Sequence, residues 1–460
     1  MSIQVSSTSN LTSPDAKSSG SKRDGYLIEL LKQRPELDEQ AVGVETATWL
    51  NQLRDRTAAW VQEQVVPTTR HEEWRFTDLS PLVQVAFQRA SQEVNLTATD
   101  IEALTLPEAA NSRLVFVNGV YAPQLSSIAD LPEGLVVGNL AQLSSTHRAQ
   151  IQNYLAKQQG GDEVFTALNT ANLSDMAIAW IPKNLVVETP LHLLFIATPD
   201  DAPTFFQPRC LVIAEANSAL TLVEDYIHLG SAESQGTYFT NTVTEIWAAE
   251  NAQVNHTRIQ RDRLDAFHIG KTAVTQDRDS RYTCTAVNLG AKLSRHNLEV
   301  FQAGEQTQTT MNGLTLITGE QLADTHSVMA YNKPYGISHQ LHKCIISDRA
   351  HAVFNGKVFV PKPAQLTNAQ QLNRNLLLSP RARVDTKPQL EITADNVKCS
   401  HGATVSQLEA DEVFYLQSRG IDQASAQNLL IYAFAAEIIE QIPVASIRKT
   451  LSRIVSEQTS

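Results

Sequence analysis

Two residues spaced for joint chemistry stand near the C-terminus. Cys399 and His401 lie in Lys398-Cys399-Ser400-His401-Gly402-Ala403-Thr404. They are two apart, so on an extended segment both side chains point the same way. A thiolate beside an imidazole is a ligand pair suited to iron or zinc. A neighbouring imidazolium also lowers a thiol's pKa, favouring the thiolate that binds metal or carries sulfur. Two ligands do not close a four-ligand site. The pair is therefore incomplete, or completed by another subunit. The alternative is an inert buried cysteine beside a hydrogen-bonded histidine.

Other chemistry-bearing patterns are thinner. Seven of the 12 histidines fall between His268 and His401. His339 and His342 are three apart, so on a strand they face opposite sides and make a weak metal pair. Gly270-Lys271-Thr272 resembles the end of a phosphate-binding loop. Asp265 stands where that loop needs its first glycine, so nucleotide binding is not expected. No G-x-S-x-G elbow and no H-E-x-x-H helix occurs. Asp324, Asp348, Asp395 and Asp411 are scattered carboxylates. They read as turn and cap residues, against the alternative of a carbohydrate-cleaving cluster.

These residues must be positioned by a chain of 460 residues with 42% hydrophobic content and a net charge of −12. That length buries a sizeable core. The acidic balance argues against nucleic acid and against an electrostatic membrane anchor. No apolar run is long enough for a membrane-spanning helix. The four cysteines, Cys210, Cys284, Cys344 and Cys399, are too few for a disulfide scaffold and contain no CxxC pair. A reducing cytoplasm is expected. Residues 1–23, rich in Ser, Thr, Asn and Gly, read as a disordered tail and not a secretory signal.

An N-terminal helical domain is expected over 24–176, with helices in 24–66 and 137–172 and a hairpin at Leu114–Tyr121, where Asn118-Gly119 is the turn signal. Arg70-His71-Glu72-Glu73-Trp74-Arg75-Phe76-Thr77-Asp78 reads as a docking turn with a buried tryptophan, or as a binding loop. Over 177–404, short runs rich in Val, Ile, Leu and Thr alternate with polar turns, without long amphipathic helices. Within them Asn217-Ser218-Ala219-Leu220, Asn251-Ala252-Gln253-Val254 and Gly290-Ala291-Lys292-Leu293 recur at 34 and 39 residues, and Arg381-Ala382-Arg383-Val384 repeats the pattern. Ile346-Ser347-Asp348-Arg349-Ala350 is echoed 32 residues on by Leu378-Ser379-Pro380-Arg381-Ala382. Weak repeats at this spacing point to a stacked parallel β-helix, with an antiparallel sandwich as the competing fold. Residues 405–460 form a C-terminal helical domain. Its stripe of Ala426, Leu429, Leu430, Ala433, Phe434 and Ile438 packs on the core or covers the open end of the solenoid.

The Cys399–His401 segment, followed by Phe414-Tyr415-Leu416-Gln417-Ser418-Arg419-Gly420-Ile421, closely resembles the C-terminal signature of the SufD family. Val353-Phe354-Asn355-Gly356-Lys357, Ala369-Gln370-Gln371-Leu372-Asn373, Asn375-Leu376-Leu377-Leu378-Ser379, Pro388-Gln389-Leu390-Glu391-Ile392 and Glu72-Glu73-Trp74-Arg75 add to the resemblance, which covers most of the chain from about residue 24.

The resemblance implies a mainly β fold, a right-handed parallel β-helix core between N- and C-terminal helical domains. It implies a non-enzymatic scaffold subunit of the SufBCD complex, pairing with a SufB-like scaffold and docking a SufC-like ATPase. No cofactor is expected to be tightly bound; a transient iron–sulfur cluster, or iron, is shared with SufB. His401 matches a proposed cluster ligand at the subunit interface, and Cys399 the adjacent family cysteine. An isolated chain can form a homodimer through the same β-helix face. SufB-like chains carry a cysteine where this one has Asn373 and a glutamate where it has Gly402. Without those ligands the chain is expected to supply only part of a site, and the SufB-like reading becomes the alternative.

Overall fold

One corner, repeated along the chain, sets the architecture. Asn184, Asn217, Asn251, Asp279, Gln306, Tyr335 and Leu366 all have φ between 55° and 65°. In each, the backbone N–H donates to a carbonyl of the next coil, from Asn184 to Ala216 at 3.0 Å through to Leu366 to Asn396 at 2.7 Å. The left-handed conformation aims that N–H along the stack. The first four corners use Asn or Asp, the non-glycine types that tolerate it best. The Asn side chains stack as well: Asn217 Nδ2 donates to Asn184 Oδ1 and Asn251 Nδ2 to Asn217 Oδ1, each at 2.9 Å.

The chain is described by a computed structural model at residues 23, 25–91, 96–129, 131–161, 163–199, 201–230 and 236–458. The tail expected over 1–23 lies outside the described residues except for Arg23. The protein is a parallel β-solenoid of about seven turns with helices at both ends. Successive strands alternate between two sheets, so each coil adds one strand to each. The interior between the sheets is apolar at both ends of the stack, with Leu193, Val212, Leu222, Val254, Val300 and Val360 among its residues. The hairpin Arg113–Val117 with Val120–Tyr121 pairs as read from Asn118-Gly119, at φ 51° and 82°.

The repeat seen in the sequence is this corner, imperfectly. Asn217 and Asn251 are left-handed, and each is followed by a buried small residue. In the third copy Ala291 itself is left-handed at φ 70° and belongs to the opposite corner. Gly290 precedes it because a Cβ there would lie 2.1 Å from the Asp262 carbonyl oxygen. Arg381 keeps negative φ, so the fourth copy is a likeness of letters only.

Helices cover the outer faces of the sheets. Val44–Gln62 and Val164–Ala171 pack on the first sheet, burying Leu50, Val61, Phe165 and Leu168. The helical texture expected over 137–172 reduces to Ser145–Ile151 and Val164–Ala171, with a strand at Val136–Gly138. At the C-terminus, Ala410–Gln417, Gln423–Ile439 and Ala445–Gln458 are helical. Gly420 has φ 88° just past the first of them, a left-handed glycine that ends the helix. The expected apolar stripe is rotated: Leu429 and Ala433 are exposed, while Ile431, Ala435, Ile438 and Ile439 are buried. Those residues pack on the outward face of the second sheet, on Ile259, Val287, Leu314 and Ile345. The long C-terminal helix therefore lies along the flank and not over the open end. An apolar outer face needs cover more than a terminal edge does.

Candidate functional site

The solenoid ends in two strands with a partner on one side only, Arg383–Ile392 in the first sheet and Lys398–Ser406 in the second. An edge strand presents free N–H and C=O groups in a row. Cys399 pairs in register with Ala369, and His401 with Gln371. Both partners are buried inside the solenoid, where Gln371 donates to Gln340 Oε1 at 2.8 Å. Alternation along the strand puts Cys399 and His401 on that same inward face at the open end. Cys399 is half-buried against the interior, whereas His401 is exposed and its ring makes no hydrogen bond among the described residues.

Burial pushes the Cys399 thiol above its ordinary range, and the N–H of Ala369 only partly offsets this. The expected depression by a neighbouring imidazolium is therefore not the dominant effect: the ring faces water, while the sulfur rests on apolar interior. Asn373 is fully buried, donating to the His342 carbonyl at 3.1 Å and accepting from Asn375 at 2.7 Å. Gly402 lies on the opposite face of the strand from His401, next to Leu372. Among the described residues no group of three or more His, Cys, Asp or Glu side chains is arranged to hold a metal ion. The donor pair at the open end remains a pair.

The other sequence candidates separate. His339 is exposed and His342 buried, on opposite faces of Ile337–Ile346 as strand geometry requires. Asp348 is a turn residue at φ 51°, accepting from Thr318 Oγ1 at 2.5 Å and Gly319 N at 3.0 Å. Asp395 lies in a bend, and Asp411 in the first turn of a helix. Asp324 departs from the turn-and-cap reading. It is buried in the strand Leu322–Ala330, paired with Arg295, and accepts from Thr77 Oγ1 at 2.5 Å. His326 bridges Asp324 and Glu73 at 3.1 and 3.2 Å. Trp74 is buried with the Arg295 guanidinium 3.9 Å from its ring centroid. The segment read as a docking turn is thus a clamp on the first sheet. Gly270 and Lys271 lie inside the strand Phe267–Gln276, so no phosphate-binding loop exists there.

A polar network inside the solenoid escaped the sequence reading. His256 Nδ1 lies 2.9 Å from the Tyr282 hydroxyl and Nε2 lies 3.4 Å from Glu224. Burial alone would neutralise both partners. Their attraction instead raises His256 to about 10 and holds the Glu224 carboxyl below its ordinary value. Arg258 Nη2 is 2.6 Å from His268 Nε2, whose Nδ1 faces Asp262 at 2.8 Å. Inward parity along each strand could have grouped these residues, but only once the register was known. By that register one inward row runs His256, Cys284, Met311, Gln340, Gln371, His401, from network to open end.

Fold and site together define a β-solenoid protein whose donor pair lies at an uncovered sheet edge. Residues 26–193 match the SufBD protein N-terminal region and 195–434 the SUF system FeS cluster assembly SufBD core domain. An iron–sulfur cluster assembly SufBD family protein of Synechocystis is 50% identical, covering 94% of this chain and 97% of its own. The iron–sulfur cluster assembly protein SufD of Escherichia coli is 34% identical, covering 82% and 85%. Protein ABCI7, chloroplastic, of Arabidopsis thaliana is 33% identical, covering 95% and 91%. The chain belongs to the SufBD family of iron–sulfur cluster assembly proteins and is of the SufD type. No helix among the described residues is long and apolar enough to cross a membrane.

Proposed function

We propose that the protein is a non-catalytic scaffold subunit of a SUF complex, offering the open end of its solenoid to a SufB-like scaffold. The observation that carries this is the exposed His401 on the inward face of an edge strand paired on one side only, with Cys399 beside it. A second chain added along Lys398–Ser406 continues the second sheet and supplies the ligands this chain lacks. The nascent iron–sulfur cluster is the cargo of that joint site, and His401 is its ligand from this side. The C-terminal helices dock a SufC-like ATPase. Support comes from Phe414 and Tyr415, 70% and 57% exposed on the short helix Ala410–Gln417.

Co-expression with SufB- and SufC-like partners tests the reading. The expected result is a stable complex whose cluster, reconstituted and measured by absorbance and iron content, is lost in His401→Ala while the complex persists. Unchanged cluster loading would remove His401 from the site. Failure to form any complex, with a homodimer through the edge strands instead, would overturn the pairing.

A further inference from the structure

The clamp formed by residues 72–74 leaves a cleft of about 530 Å³ between itself and the outer face of the first sheet. Along its floor, Asn297, His326 and Asn355 are register neighbours on three consecutive strands. Asn297 and Asn355 are each 7% exposed. Both line the cleft, and Asn297 Oδ1 is a buried acceptor with no donor among the described residues. Leaving a buried polar atom unpaired costs about 1–3 kcal/mol, so Asn297 Oδ1, with the Asn355 carboxamide one register step beyond His326, calls for a ligand that pairs it. Glu73, Glu163, Glu299 and Glu391 line the walls against Arg295 and Lys357. Arg295 is already neutralised by buried Asp324. Glu299 pairs with Lys271 and Glu391 with Lys357, so the excess negative charge of the cleft comes from Glu163 and from Glu73, which faces His326. Val328 and half-exposed Phe359 add apolar surface.

We propose that this cleft is a docking site for an extended, basic segment of a partner protein. A carboxamide carries donor and acceptor side by side, so it pairs with both the N–H and the C=O of a peptide unit. Strands two apart in a sheet are ~10 Å from each other, the span of three residues of extended chain at ~3.4 Å each. Asn297 and Asn355 thus hold backbone positions three apart. Lysine or arginine side chains lie along Val328 and Phe359 and reach the wall carboxylates. Charge selects the segment, and the two amides fix its register.

The test is fluorescence anisotropy on the full chain, with a labelled nonapeptide of alternating lysine and alanine. Binding is expected to weaken at least tenfold in Asn297→Ala/Asn355→Ala, with the thermal midpoint no lower than that of the unaltered chain. Glu391→Lys, on the rim, should weaken it without touching the floor. A peptide of the same charge with N-methylated backbone should bind at least tenfold more weakly, and its glutamate counterpart not at all. Equal binding by the double variant or by the N-methylated peptide would overturn the proposal, leaving charge alone. So would displacement by spermidine at the peptide's own concentration, or no binding at millimolar peptide.

Discussion

Asp324→Ala leaves the Arg295 guanidinium buried without its counter-charge. Both side chains are about 2% exposed, and Arg295 also donates to the Glu73 carbonyl at 2.8 Å and lies over Trp74. Breaking a buried pair from one side costs ~3–5 kcal/mol, because the remaining charge stays desolvated. Arg295→Met additionally removes the cation–π contact, worth ~0.5–2 kcal/mol, but leaves Asp324 with His326 and Thr77. Removing both charges in Asp324→Leu/Arg295→Met should cost far less than the two single changes added together. The pH dependence has a definite sign. Burial would raise the Asp324 carboxyl, yet Arg295 and His326 hold it well below the ordinary carboxylate range. Its contribution is therefore complete above about pH 4 and is lost as pH falls below that. A chain of this size need not unfold in one step, so the readout is hydrogen exchange at residues 72–78, where local opening reports the clamp. Opening facilitated by less than ~1 kcal/mol in Asp324→Ala, or a double variant as damaged as the sum of the singles, would refute the reasoning.

Lys343 is buried on the second sheet, pairing with Glu437, donating to the Phe434 carbonyl at 2.9 Å and facing the Phe434 ring at 4.3 Å. Lys343→Met should loosen the long C-terminal helix by ~1–2 kcal/mol; limited proteolysis checks this, and an unchanged cleavage rate after residue 405 counts against it. His192 is fully buried with both ring nitrogens unpaired among the described residues, and burial lowers it to about 4. Its unfolded form titrates near 6.5, so the native state loses on the order of 3 kcal/mol as pH falls from there through 4. His192→Leu should shift acid unfolding to lower pH, and coincident acid midpoints would sink that account.

The fold was legible where the chain uses its preferred letters. Asn217, Asn251 and Asp348 are turn residues in sequence and in space, and Asn118-Gly119 makes the hairpin it advertises. Gln306, Tyr335 and Leu366 occupy the same left-handed corner with no such letters. There the stack forces the conformation on them, since neighbouring coils on both sides already fix the path. The spacing of Cys399 and His401 disclosed their shared face. It did not disclose that this face is the inside of the solenoid, so the burial that lifts the thiol was hidden. Asp324 was misread for a similar reason: its partners Thr77 and Arg295 lie 247 and 29 residues away, and only the register brings them together.

The two terminal edges are not equivalent. In Arg383–Ile392 the chain places Arg383, Asp385, Lys387, Pro388 and Glu391. Charges and proline on an edge discourage further pairing, and proline also lacks the N–H a ladder needs. Lys398–Ser406 has neither device beyond Lys398 at its start: Cys399, Ser400, His401, Gly402, Ala403, Thr404 and Val405 follow without charge or proline. Val405 is 52% exposed. An unguarded edge of this length is an aggregation hazard unless something occupies it. The two long C-terminal helices, which could have covered it, are committed to the apolar flank. The edge left open for strand addition is the one carrying the donor pair, which is why the proposed joint site falls at this edge and not at Arg383–Ile392.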